Sequence, residues 1–235
     1  MNARFDVALA LRQIGVVVVA DSTPILMLGA VLVTLPALLA SVLTPGHSVG
    51  TVLAVIAGLG AALFATLVSF GTTARLMGMP LGPRDYFRRG IVASPPGFSV
   101  ALLLGAAGVG AAIVQLVAGA GSPAGLLALG AAIGGVVIVL PALPLAIAER
   151  RPPFLALRDA GRLTRGNRGR LLALLVVAAL AVGPAALLIG GPGAADPGSG
   201  RLWVWLLFEL IAASVLATIP AVVDAQLRLR VVSTD

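Results

Sequence analysis

Residues 124–148 read AGLLALGAAIGGVVIVLPALPLAIA and are followed at once by Glu149-Arg150-Arg151. A helix needs about 20 mostly apolar residues to cross the hydrocarbon of a bilayer, with every backbone polar group satisfied internally. This stretch meets that requirement and ends on a basic flank, which is how a membrane span meets the cytoplasm. Five other stretches read the same way, at Pro24–Leu43, Val49–Ala74, Phe98–Ala118, Leu171–Gly190 and Trp203–Ala225. Thr44-Pro45-Gly46, Gly119 to Pro123 and Gly190 to Gly200 punctuate the short connections. The expected architecture is therefore all-α: six transmembrane helices arranged as three hairpins in a single membrane domain over residues 1–235.

Composition agrees. Of 235 residues, 59% are apolar and 11% charged, with mean hydropathy +1.09. Soluble domains carry about 25% charged residues, so an ordinary cytosolic enzyme and a disordered tail are excluded. The chain has no Cys, which excludes a disulfide scaffold. All sixteen cations are Arg, and with 29 Gly, 16 Pro and abundant Ala they point to a GC-rich bacterial genome.

The Arg distribution sets the orientation. Fifteen Arg fall in the N-terminal tail, the connections after spans two and four, and the C-terminal tail, whereas Arg201 stands alone on the other side. The positive-inside rule then puts both termini in the cytoplasm of a multi-pass protein of the bacterial inner membrane. Twenty-three residues, including Asp6 and Asp21, precede the first span, which is read as an uncleaved helix and not a signal peptide.

The even spans end near residues 74, 148 and 225, which suggests degenerate repeats over 1–74, 75–148 and 149–225. Each unit is expected to open with a cytoplasmic amphipathic segment. These begin around Phe5, Arg84 and Phe154, and Arg84-Asp85 and Arg158-Asp159 lie 74 residues apart. In the first segment Val7, Leu11, Ile14 and Val18 form the expected apolar stripe, and in the third Arg158, Arg162 and Arg165 oppose Ala156, Ala160, Leu163 and Thr164. Pro36 and Pro184 are expected to kink odd spans.

The connection between spans four and five contains Asp159-Ala160, then Arg162-Leu163-Thr164, then Gly166-Asn167-Arg168. This run resembles a cytoplasmic stretch of the glycerophosphoryl diester phosphodiesterase membrane-domain family, and Leu32 to Leu39 in span one is compatible with it. That family groups polytopic bacterial membrane proteins, most without an assigned activity. Its name comes from members fused to a soluble phosphodiesterase domain, which these 235 residues do not contain. The resemblance implies a fold and a location and no phosphodiesterase activity.

Catalytic chemistry finds few ingredients. The one histidine, His47, has no second His, Cys or nearby acid with which to hold a metal, and no zinc-protease pattern or phosphate loop occurs. No catalytic, cofactor or metal site is expected. Glu209 is the one acid well inside a span; an ionisable group in a bilayer is costly and faces a bundle interior or a wet cavity. Glu209, with Gln115 near the same outer side as its hydrogen-bonding partner, is the candidate intramembrane polar site. Asp224, at the inner end of span six, is left for water or an Arg to satisfy. Gly130 and Gly134, with Gly105 and Gly108 in span three, are read as close-packing positions. Pro141, Pro144 and Pro220 are expected to bend their spans.

The loop Arg150–Arg170 carries seven Arg, and each basic residue near an anionic leaflet contributes about 1 kcal/mol. Arg158, Arg162 and Arg165 are the candidate contacts with anionic inner-leaflet lipids. The positive-inside rule accounts for this charge without nucleic acid. Trp203 and Trp205 suit the aromatic belt at the outer end of span six. Three functions compete. The first is a non-enzymatic module that binds lipid or a protein partner; the second is a small-molecule transporter or pore with its polar site around Glu209. The third, an ABC-transporter permease with a coupling helix in Pro153–Arg165, lacks a recognisable coupling motif.

Overall fold

The computed structural model describes residues 5–43, 47–119, 122–189 and 200–232. The expected turns at 44–46 and 190–199 lie outside the described residues. The described chain is all helical, with no strand. In order the helices are α1 (Val7–Ala20), α2 (Ser22–Gly29), a π-helical turn (Ala30–Thr34), α3 (Leu35–Leu43), α4 (His47–Leu76), α5 (Pro83–Ala118), α6 (Pro123–Val139), α7 (Ala142–Glu149), α8 (Pro153–Leu163), α9 (Arg168–Ile189) and α10 (Gly200–Val232).

Six helical segments among the described residues are long and apolar enough to cross a membrane: Ser22–Leu39, Val55–Leu76, Pro83–Ala118, Pro123–Glu149, Arg168–Ala186 and Gly200–Arg228. They coincide with the six expected spans, with one correction. The segment expected as a separate element before span three is the first part of a continuous 36-residue α5. Pro95 and Pro96 lie inside that helix without ending it. Proline removes an N–H and leaves the carbonyl four residues earlier unpaired. For Pro95 that carbonyl is Ile91, and the Ser94 hydroxyl donates to it at 2.8 Å.

The same accounting explains the first span. Pro36 deprives the Leu32 carbonyl of its helical donor, and the chain widens into the π-helical turn just before it, the Leu35 N–H bonding back to Ala30. The Leu32 carbonyl oxygen then lies against Gly60 of α4, so closely that any Cβ at Gly60 would collide with it. Only glycine lets two backbones approach in this way. Between α6 and α7, Pro141 interrupts the ladder, and the Thr164 hydroxyl from the end of α8 donates to the Ile138 carbonyl at 3.2 Å.

Three apolar clusters hold the bundle. Phe5, Ile14, Leu171, Leu174, Ile219 and Val222 join α1, α9 and α10; Ile25, Phe64, Leu67, Val68 and Tyr86 join α2, α4 and α5; Val100, Leu143, Ile147, Ala156 and Ala160 join α5, α7 and α8. Helix α1 packs on α10 and α9, and its buried stripe is Ala10, Ile14 and Val17. Leu11 is exposed, so the expected stripe of Val7, Leu11, Ile14 and Val18 is rotated about Ile14 toward α10.

Glycines expected to bring helices together do so only in part. A Cβ at Gly105, Gly108, Gly130 or Gly134 would meet nothing within 4 Å. These positions are not close contacts, because the C-terminal half of α5 and the N-terminal half of α6 expose most of their side chains. The tight approaches are Gly60 on Leu32, Gly71 under the Tyr86 ring, and Gly97 against Ile147 and Thr66. Tyr86 is fully buried there and donates its hydroxyl to the Val68 carbonyl at 3.2 Å.

Candidate functional site

Glu209 lies on one face of α10 with Trp205, Phe208, Ala212, Ala213, Leu216, Ala217 and Pro220, the spacing of a single helical seam. That seam forms one wall of a cavity of about 720 Å³. Gly58, Ala61, Ala62, Phe64 and Ala65 of α4 form the facing wall, with Val33 of the π-helical turn, Ala101, Leu104 and Gly105 of α5, Val136 of α6, Leu140, Leu143 of α7 and Ala186 of α9 closing the rest. The volume falls in the range of small-molecule sites, about 300–1,000 Å³. From Trp205 to Pro220, at 1.5 Å per residue, the shaft runs about 22 Å along α10.

The walls are small because α4, α5 and α10 each turn alanine or glycine toward one another. In tightly associated helices such residues bring backbones into contact; here they leave space between them. Gly58, Ala61, Gly105, Val136 and Leu216 are exposed as well as lining, so the cavity is accessible from outside the bundle. Among the described residues that line it, the only side-chain polar groups are the Trp205 indole N–H and the Glu209 carboxyl. Glu209 is half-buried, and its Oε2 is buried with no hydrogen-bond partner.

The expected pairing of Glu209 with Gln115 needs correction. Gln115 does not line this cavity. It sits ten residues beyond Gly105, about 15 Å further along α5, where Leu116 and Val117 are exposed to the outside. Apart from the Trp205 indole, the residues around Glu209 in the cavity are apolar.

Charged groups gather at the opposite end of α10. Asp224, left by the sequence to water or an Arg, accepts from Arg228 Nε at 2.7 Å, and Arg228 Nη1 reaches Glu149 Oε1 at 2.7 Å. Glu149 also pairs with Arg151, Arg151 with Asp159, and Asp159 with Arg162 at 3.8 Å. The chain of alternating charges links α10, α7 and α8 and surrounds a second cavity of about 390 Å³. A separate buried pair joins Asp21, between α1 and α2, to Arg75 at the end of α4: Arg75 Nε donates to Asp21 Oδ2 at 2.7 Å, and Nη2 pairs with Oδ1.

The distinctive run 159–168 is architectural. Asp159 belongs to the charge chain, Ala160 is fully buried, and Thr164 caps the broken α6–α7 ladder. Gly166 takes φ 89°, a conformation glycine adopts without strain. Asn167 Oδ1 accepts the buried Phe5 N–H at 2.9 Å, and Arg170 donates to the Phe5 carbonyl at 2.8 Å. Sequence reasoning flagged the run but had no signal for these partners, which lie up to 165 residues away. Arg158, Arg162 and Arg165 are exposed, as lipid contact requires, with Phe154 and Leu155 exposed near them. Among the described residues no three His, Cys, Asp or Glu gather closely enough to hold a metal ion.

No family model, curated protein or solved structure matches this chain. Its class rests on six helices among the described residues that are long and apolar enough to cross a membrane, consistent with a multi-pass membrane protein.

Proposed function

We propose that this protein is a non-enzymatic membrane module that holds a lipid-like molecule inside the bilayer. The observation that carries the reading is the elongated apolar cavity between α4, α5 and α10. Walls of alanine, glycine and leucine are poor partners for water and good ones for hydrocarbon, and a shaft about 22 Å long suits a chain better than a compact solute.

In the same reading the chain sits in a bacterial inner membrane as three hairpins, with both termini cytoplasmic. The excess of Arg at one end of the bundle supports that orientation. The segments at α1, the start of α5, and α8 lie at the cytoplasmic surface, where Arg158, Arg162 and Arg165 meet anionic headgroups beside Phe154 and Leu155. Membership of the glycerophosphoryl diester phosphodiesterase membrane-domain family is part of the proposal and rests on the run 159–168. A second reading, transport of a small molecule past Glu209, draws on the unpartnered Oε2.

Native mass spectrometry of the protein released from lipid nanodiscs tests the main reading. The wild type should retain a chain-bearing molecule, and Ala65→Leu/Ala213→Leu, which fills the shaft, should not. A bare wild-type protein, or equal retention by both, overturns it. If Glu209→Gln abolishes movement of a solute across proteoliposomes while retention is unchanged, the transport reading replaces it.

A further inference from the structure

The cavity has two chemically different ends. Toward Pro220 its walls are apolar throughout, with the Phe64 ring among aliphatic side chains, while toward the start of α10 three side chains within little more than one turn, Trp205, Phe208 and Glu209, face into it. Two aromatic rings and a carboxylate make a distinct combination. Ring faces attract cations through their quadrupole, and a carboxylate in a low-dielectric site gains most from an opposing charge it can touch. Among the described residues no Arg lines this cavity, and Glu209 Oε2 is buried with none of them as its hydrogen-bond partner. The protein itself therefore supplies one side of an ion pair: a cation that reaches Glu209 from within the cavity is what would hold this carboxyl in its ionised form.

We infer that the cavity takes an amphiphile with an ammonium head, seated with that head between Trp205, Phe208 and Glu209 and its chain running toward Pro220. The inference rests on the chain-binding reading above and adds the chemistry of the head. An acidic amphiphile is disfavoured, because its carboxylate or phosphate would meet Glu209. A neutral alcohol fits the shaft but leaves the charge unanswered. The same ammonium is presented by a free alkylamine and by the ethanolamine head of a membrane lipid; the two differ in size and in the phosphate beside the amine.

Trp203 and Trp205 are the only tryptophans, so Trp203→Phe leaves Trp205 as a reporter inside the cavity. The purified full chain carrying Trp203→Phe is titrated in detergent with an alkylamine brominated close to its head instead of at its chain end, the matching alcohol and the matching carboxylic acid, with quenching of Trp205 as the readout. The amine should bind at least tenfold more tightly than the alcohol, and the acid more weakly than either. Adding Glu209→Gln should bring the amine down to the affinity of the alcohol and leave the alcohol unchanged. Competition by unbrominated phosphatidylethanolamine, with phosphatidylglycerol as the control, separates the sources: displacement by the first alone identifies the lipid head, and displacement by neither identifies a free amine. Equal affinity for amine and alcohol, or a preference that survives Glu209→Gln, overturns the ammonium inference while chain binding stands. If none of the three probes quenches Trp205, chain binding fails and the inference with it.

Discussion

Replacing Asp21 by Asn should destabilise the bundle more than any surface charge change. Asp21 is only 3% exposed and receives two donors from Arg75, whose side chain is 27% exposed. Charge-assisted hydrogen bonds contribute about 1.5–3 kcal/mol each, and breaking a buried pair by removing one partner costs about 3–5 kcal/mol. Arg75 keeps some access to water, which offsets part of that cost and sets the expected loss at the lower end, about 3 kcal/mol. For a chain of this size 1 kcal/mol moves the melting temperature by about 2–4 °C, so Asp21→Asn should lower it by about 6–12 °C. Thermal unfolding in one detergent of the wild type, Asp21→Asn, Arg75→Gln and the double variant gives a complete cycle. The double variant should be no less stable than the worse single one, with a coupling of about 2 kcal/mol. Additive losses, or a coupling below about 0.5 kcal/mol as for exposed pairs, would refute the claim that this pair pins the α1–α2 junction to α4.

Other contacts make separate predictions. Asn167→Ala leaves the buried Phe5 N–H without its acceptor; hydrogen exchange at the start of α1 should quicken, and an unchanged rate would contradict the role of that bond in holding the chain ahead of α1. Thr164→Val keeps the shape but removes the donor to Ile138, so unfolding should cost about 0.5–1.5 kcal/mol less than in the wild type, read by thermal denaturation. Gly71→Val drives a side chain into the Tyr86 ring and should cost about 1–3 kcal/mol or more, whereas Gly130→Val on an open face should cost far less. Cysteines introduced at Ser122 and Ser199 should label from outside intact inner membranes and those at Met79 and Arg165 should not; the reverse pattern would invert the orientation.

Helix positions were legible in the sequence because length and hydropathy suffice to define a span. The basic ends were legible too, since arginine is costly anywhere else. What one chain read alone does not carry is long-range pairing. Asp21 and Arg75 lie 54 positions apart, and Phe5 and Asn167 lie 162 apart, with no local pattern to join them. Inside α5 the Ser94 hydroxyl takes up the Ile91 carbonyl that Pro95 frees, whereas the repair at Pro36 uses a widened turn and a glycine on another helix. The small residues of α4, α5 and α10 were visible as such. Small residues serve equally for helices in contact and for helices set apart, so only the fold distinguishes Gly60, pressed on a carbonyl, from Gly58, which opens on the cavity. Glu209 stood out because acids in spans are rare; its isolation depended on where α5 carried Gln115.

The most direct measurement is an electron cryomicroscopy map of the protein in nanodiscs made from its host lipids, with a bound antibody fragment for alignment. An elongated density should fill the space between α4, α5 and α10, running from beside Pro220 to Glu209. Helices closed upon one another there, or a map with the cavity formed and no elongated density in it, would contradict the account.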